Sequence, residues 1–191
     1  MSAGNIRLAA ARDAPAIHAI YAPIVSGSFI SFELEAPTVA EVERRIVQTL
    51  RKFPWLVLED PEGLLGYAYA CEHRERAAYQ WSVDVSCYVQ ERARRRGVGR
   101  SLYEALLRVL ARQGFTNAFA GIALPNAASV GMHASVGFEP LGHYRDVGYK
   151  LGEWHDTVWM QRRLASPPAK PEAPRPLAAL PPHEVDEAIA G

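Results

Sequence analysis

One heptapeptide constrains this chain more than any other segment. Arg94-Arg95-Arg96-Gly97-Val98-Gly99-Arg100 stands between an apolar, strand-like run, Trp81–Val89, and a segment with Leu102, Ala105, Leu106, Val109 and Leu110 at helical spacing. A glycine-rich turn that opens a helix bares several backbone N–H groups, and the helix dipole adds partial positive charge at the same end. Small residues let an anion approach the backbone, and each dipole contact contributes about 0.3–1 kcal/mol. Arginines on the turn add charge-assisted hydrogen bonds, so its chemistry suits a diphosphate. Two other phosphate loops are excluded. A dinucleotide fingerprint needs a third glycine where Leu102 stands, and a nucleoside-triphosphate loop needs Gly-Lys-Ser/Thr. By itself the turn would serve equally as a solvated arginine patch capping a helix.

Around the turn, strands and helices alternate, with a strand meander in the middle. Asn5–Ala10 is short and apolar, and Asp13 with Pro15 opens a helix carrying Ile17, Ile20 and Tyr21 on one face. Thr38-Val39-Ala40-Glu41 is a capping box that starts a second helix. Trp55–Glu59 and Leu64–Cys71 are strands joined by the tight turn Asp60-Pro61-Glu62-Gly63. Gly114 terminates the helix that follows the arginine turn, Thr116–Ile122 is a strand, and Asn126 caps a short helix ending at Gly137. His143–Lys150 and Thr157–Leu164 supply further extended segments. The loop Ser26–Pro37, with Phe29, Ile30 and Phe32, is unusually apolar for a connector.

Composition narrows the function. With 21 basic and 21 acidic residues the net charge is zero, so any anion site is local and a nucleic-acid or membrane coat is disfavoured. No apolar stretch approaches the roughly 20 residues that span a bilayer, and Met1–Arg12 lacks a signal peptide's apolar core. Cys71 and Cys87 lie in apolar runs and read as two buried thiols, consistent with a cytoplasmic setting. Seven of the 14 prolines fall between Pro167 and Pro182, so that segment is expected to form neither helix nor central sheet. The expected division is a domain over 1–165, with order ending near Leu164, and a proline-rich tail over 166–191.

Taken with other residues, the turn resembles a known family. Arg94-x-x-Gly97-x-Gly99, followed by Asn126, Ser129, His133, Gly137 and Phe138, resembles the GCN5-related N-acetyltransferases (GNAT), which use acetyl-CoA. Phe53-Pro54-Trp55-Leu56-Val57, Ile122-Ala123-Leu124-Pro125-Asn126, Met132-His133 and Gly152-x-Trp154-His155-Asp156 are similar to the phosphinothricin and methionine sulfoximine acetyltransferases of that superfamily. The resemblance spans about Ile6 to Leu164. It implies an α/β (α+β) fold with a twisted mixed sheet whose two central strands splay to admit acetyl-CoA. It further implies that the backbone of Cys87, Tyr88 and Val89 pairs with the pantetheine arm. Arg94, Arg95, Arg96, Gly97, Val98, Gly99, Arg100 and Ser101 would cradle the diphosphate, with Asn126 and Ser129 further along the cofactor.

Two residues are expected to be catalytic. Asp84 interrupts an apolar strand, where a carboxylate is costly unless used or paired, and it stands where the family has glutamate. Aspartate is shorter by one methylene, about 1.5 Å by chain geometry, which favours proton removal through a bridging water. His133 occupies the superfamily's thiolate-protonating position and is expected to donate that proton or relay the amine's. Phe32, Arg74, Arg76 and Tyr79 correspond to substrate-pocket residues. His73, where the crop-resistance enzymes carry tryptophan, and Val85 depart from the pattern.

The implied reaction is direct acetyl transfer to the α-amine of a small amino-acid-like substrate, by a homodimer and without a metal. Cys87 has no activating histidine near it in sequence and is not read as a nucleophile. Three rivals remain: acetylation of another amine or a peptide N-terminus, a non-catalytic acyl-CoA-binding module, and nucleic-acid binding through Arg92–Arg100.

Overall fold

A computed structural model describes residues 4–191, so Met1–Ala3 lie outside the described residues. The chain runs β1 (Asn5–Leu8), α1 (Ala14–Gly27), α2 (Val39–Thr49), β2 (Trp55–Asp60), β3 (Gly63–Glu72), β4 (Ser82–Val89) and α3 (Val98–Gln113). It continues through β5 (Asn117–Ala123), α4 (Ala127–Ser135), β6 (Glu139–Lys150), β7 (Glu153–Arg163) and α5 (Pro182–Ala190). The strands form one seven-stranded sheet in the order β1-β2-β3-β4-β5-β7-β6. Every neighbouring pair is antiparallel except β4 and β5, which are parallel.

The period-2 pattern of β2 decides how the layers stack. Leu56 and Leu58 face α3, with Leu102, Leu106 and Leu110. Trp55 and Val57 face the opposite layer, with Ile17 of α1 and Ile46 of α2. Gly66 on β3 brings these parts close. A Cβ there would sit 2.8 Å from the Tyr88 carbonyl oxygen and 3.2 Å from Val98, so only glycine lets the start of α3 rest on β3 and β4.

Local signals mostly act as expected, with two differences. The Thr38 hydroxyl accepts from the Glu41 N–H at 3.2 Å, but the Glu41 carboxylate turns to Arg44 and Arg45 instead of completing the capping box. Asp13 opens α1 without capping it. Its carboxylate takes the Arg7 guanidinium at 2.7 and 2.9 Å and the Ala10 N–H at 2.8 Å, and Arg7 also bridges to Glu59. Burial pushes the Asp13 carboxyl up, but these donors outweigh it and hold the group below its ordinary value of 3.8.

A group with a depressed folded-state pKa contributes stability above its unfolded pKa and loses it as pH falls through the folded one. The Arg7–Asp13 contribution is therefore full at neutral pH and disappears only below about pH 4. Arg7→Met leaves a buried carboxylate unpaired, a change that typically costs about 3–5 kcal/mol. Because Arg7 is partly exposed, the expected loss lies near the low end, about 3 kcal/mol in urea unfolding at pH 7. The deficit should shrink toward pH 3.

Past β7 the structure corrects the expectation that order ends near Leu164. The stretch 164–176 is irregular, as a proline run requires, but α5 follows it. Leu177, Leu180, Val185 and Ala188 bury themselves against Val109 of α3. The Arg175 N–H donates to the Gln113 carbonyl, the Leu177 N–H to Lys52, and the Arg108 guanidinium to the last carbonyls of α5. The physical reason is position: Pro182 stands at the first helical residue, where a missing N–H has no partner to lose. Cys71 is likewise corrected, being exposed at the end of β3, while Cys87 is half-buried and both thiols are free.

Candidate active site

The sheet opens at one place. β4 and β5 pair only through Ser82–Asn117, Val83–Ala118 and Asp84–Phe119. Beyond Asp84 the two strands part, and Val85–Val89 keeps its partner β3 on one side only. One edge of Cys87, Tyr88 and Val89 is thus left without a strand, which suits an extended ligand that adds to the sheet.

A groove of about 900 Å³ runs along that edge to the start of α3. It is lined by Cys87, Tyr88, Val89, Arg94, Arg95, Gly97, Val98, Gly99, Arg100, Asn126 and Ser129. Arg96 and Ser101 do not line it. Ile24, Ile30 and Met132 do. Sequence reasoning misses these three because α1, its following loop and α4 meet the groove only through the tertiary fold.

Where the groove meets the start of α3, the backbone and side chains suit an anion. Gly97, at φ +83, is the residue before α3, no side chain caps the helix, and its first turn carries no acidic residue. Arg95 also takes a left-handed conformation, at φ +60, a backbone state that anion-binding nests use. Holding a non-glycine residue there costs on the order of 1–3 kcal/mol, which the surrounding fold has to sustain. Arg94, Arg95 and Arg96 make no ion pair among the described residues, whereas Arg100 pairs with Glu104 and Arg92 with Glu62. A Cβ on Gly99 would touch Val89, Cys87 and Met132 at 3.6–3.8 Å, so the missing side chain keeps the groove open.

Asp84 lies where the strands part, half-buried. Its Oδ1 is 2.6 Å from His73 Nδ1. Burial raises the Asp84 carboxyl above its ordinary value, against the opposing pull of the His73 hydrogen bond. The His73 ring stacks on Phe119 at 4.3 Å and meets Tyr79 and Trp159 edge-on at 6.1 and 6.2 Å. Arg74 lies over the Trp159 ring at 5.8 Å.

The structure therefore gathers Asp84, Arg74 and Tyr79 around His73. Arg76 is exposed and makes no side-chain hydrogen bond among the described residues. Phe32 belongs to a separate group: it rests directly on Gly148 and lies 6.4 Å from His155, which stacks on Phe29. Lys150 pins this apolar loop by donating to the carbonyls of Val25, Ser31 and Glu33 at 2.6–2.7 Å. The position of His73 beside Asp84 carries a signal in sequence only after the strand register is known. Once Leu64–Cys71 and Trp81–Val89 are paired, Cys71 falls opposite Asp84, and a residue two further on shares its face.

His133 departs from expectation. It is buried beside α3 and does not line the groove. Its Nδ1 is 2.8 Å from the Ser129 carbonyl oxygen and so must carry the proton; its Nε2 then accepts from the Tyr103 hydroxyl at 2.9 Å. Burial lowers its pKa, keeping the ring neutral. In this arrangement neither nitrogen offers a proton to a thiolate. Burial also pushes the Cys87 thiol up to about 12, so it is protonated at neutral pH.

A parted pair of central strands, an open strand edge and an arginine-rich helix start define a class of protein suited to hold a long, diphosphate-bearing ligand. Similarity to known proteins gives that class a family. A family model described as "Acetyltransferase (GNAT) domain" matches residues 6–159, and the chain belongs to it. It is accordingly an acetyltransferase.

The phosphinothricin N-acetyltransferase of Streptomyces viridochromogenes is 37% identical over 92% of this chain and 96% of its own length. The L-methionine sulfoximine/L-methionine sulfone acetyltransferase of Pseudomonas aeruginosa is 35% identical over 84% of this chain and 94% of its own. Among solved structures, a Sinorhizobium meliloti phosphinothricin acetyltransferase in complex with AcCoA aligns with a TM-score of 0.84 and 34% identity. The alignment covers 89% of this chain and 94% of that one.

Proposed function

We propose that the protein transfers the acetyl group of acetyl-CoA to the α-amine of a small amino-acid-like acceptor, phosphinothricin or methionine sulfoximine/sulfone. The observation that carries this reading is the parting of β4 and β5 at Asp84, which leaves an open strand edge for the cofactor beside a half-buried carboxylate. Relatives named for these two substrates supply the acceptor class.

In this reading the N–H groups opening α3, with Arg94, Arg95 and Arg100, hold the diphosphate, and the open edge of Cys87–Val89 holds the pantetheine arm. The amine gives up a proton at the basic site that Asp84 anchors, the freed amine attacks the thioester carbonyl, and a backbone N–H near Val89 holds the oxyanion. Arg74 offers a planar fork to the acceptor's acidic group, and Tyr79 an apolar wall. His133 holds α4 against Tyr103, and the departing thiolate takes its proton from solvent.

We read the enzyme as a cytoplasmic homodimer. Support for the dimer is the exposure of Tyr144, Val147, Tyr149, Leu151 and Trp154 on the β6–β7 hairpin, since exposed apolar side chains gathered on one element mark interaction surfaces. Light scattering on the purified protein, with Trp154→Glu expected to shift it toward monomer, checks this.

Thiol release from acetyl-CoA across a panel of amino acids and analogues tests the function. Turnover of phosphinothricin or methionine sulfoximine supports it. Turnover confined to other amines replaces the acceptor, and tight coenzyme A binding without any turnover identifies a non-catalytic binding module. A second result is expected from the groove: Gly99→Leu fills it and should weaken acetyl-CoA binding at least ~10-fold by calorimetry, about 1.4 kcal/mol. Gly99→Ala, whose Cβ meets only ordinary contacts, should bind nearly normally.

A further inference from the structure

We propose that the general base is an imidazole–carboxylate pair: His73 Nε2 takes the acceptor's proton, and Asp84 holds the ring in place. This rests on the acetyltransferase reading and deepens it by naming the atom that meets the amine.

The geometry supports it at each point. Asp84 Oδ1 stands 2.6 Å from His73 Nδ1, a short, charge-assisted contact. With Nδ1 carrying the proton toward the carboxylate, Nε2 keeps its lone pair, and it has no hydrogen-bond partner among the described residues. Stacking on Phe119 and the edges of Tyr79 and Trp159 fix the ring plane. The ring carries a basic atom beyond the reach of a carboxylate that is one methylene too short, with no bridging water needed. The charged and titratable neighbours are few. Cys71 lies opposite Asp84 on β3, and Arg74 and Tyr79 lie on the connecting loop. β5 and β7 present Phe119 and Trp159 to the ring.

The proton count closes. The ammonium gives one proton to His73 Nε2, leaving a neutral amine and an imidazolium paired with the Asp84 carboxylate. The amine nitrogen bonds to the thioester carbonyl carbon, the carbon–sulfur bond breaks toward sulfur, and the nitrogen's second proton passes to solvent. A proton from solvent neutralises the thiolate, and His73 releases its own to solvent to reset the pair.

Three variants test this in the thiol-release assay, each checked for folding by thermal melting. His73→Gln can still donate to Asp84 but cannot accept a proton, so kcat should fall on the order of 10²-fold with little change in acetyl-CoA KM. His73→Ala should fall similarly and recover in part with added imidazole. Asp84→Glu pushes the ring out of place and should lose activity, whereas a carboxylate acting alone would gain from the longer arm. His73→Gln within threefold of the unaltered protein, no imidazole rescue, or an Asp84→Glu variant as fast as the parent would each overturn the proposal. Absence of thiol release from the unaltered protein, by contrast, counts against the acetyltransferase reading itself.

Discussion

Asp84→Asn lowers kcat/KM for acetyl transfer by roughly 10²–10⁴-fold, the range a positioned base supplies, and leaves acetyl-CoA affinity nearly unchanged. The split follows from placement. Asp84 lies where β4 and β5 part, outside the lining of the cofactor groove, so removing its charge disables the reacting end without disturbing the gripping end. The pH profile should show the same group. Burial favours the neutral carboxyl and raises Asp84 above its ordinary 3.8. In the proposed mechanism the active form is the ionised one, so kcat/KM should climb as pH rises through the raised value, with an acid limb above that of an exposed aspartate. Steady-state rates from pH 4 to 9 measure both effects. An asparagine variant within tenfold of the parent would remove Asp84 from the mechanism.

Deleting residues 166–191 destabilises the domain by an amount on the order of 4 kcal/mol. Leu177, Leu180 and Val185 each contribute about 1.5–3 kcal/mol of burial, and the freed chain regains part of that as entropy. For a domain of this size the midpoint of thermal unfolding should drop by roughly 8–16 °C. The deletion also uncovers Val109 and removes the Arg175 carbonyl from the Gln113 side-chain amide. It leaves every residue of the cofactor groove in place, so acetyl transfer should persist at low temperature while half-life on warming collapses. A shortened chain that melts with the full one would mean that the docked helix adds nothing.

These two variants touch different classes of information. The arginine–glycine turn, the α3 helix from Val98 to Gln113 with its Gly114 stop, and the Asn126 cap on α4 are local, and each is legible in the residues alone. So is the β2–β3 hairpin, because its turn chemistry and strand pattern lie within a few residues of one another. The tail is not, since counting prolines says where a helix is interrupted but not whether one begins afterwards on a waiting apolar face. Nor is the state of His133. Its spacing from Asn126 gives a position, and the Ser129 carbonyl one turn back keeps the proton on Nδ1, whereas Tyr103, thirty residues away on α3, takes up the other nitrogen.

The amino-acid order by itself carried the elements as far as β7, the family and the arginine–glycine turn, because those depend on backbone conformation and on side chains a turn or two apart. The packed molecule alone decided that β4 and β5 separate at Asp84 and that an imidazole just past the end of β3 reaches it. It also decided that the last helix closes over α3. Each of these brings together groups distant along the chain, and contact free energy at long separation depends on how whole layers stack, which no short window of sequence contains.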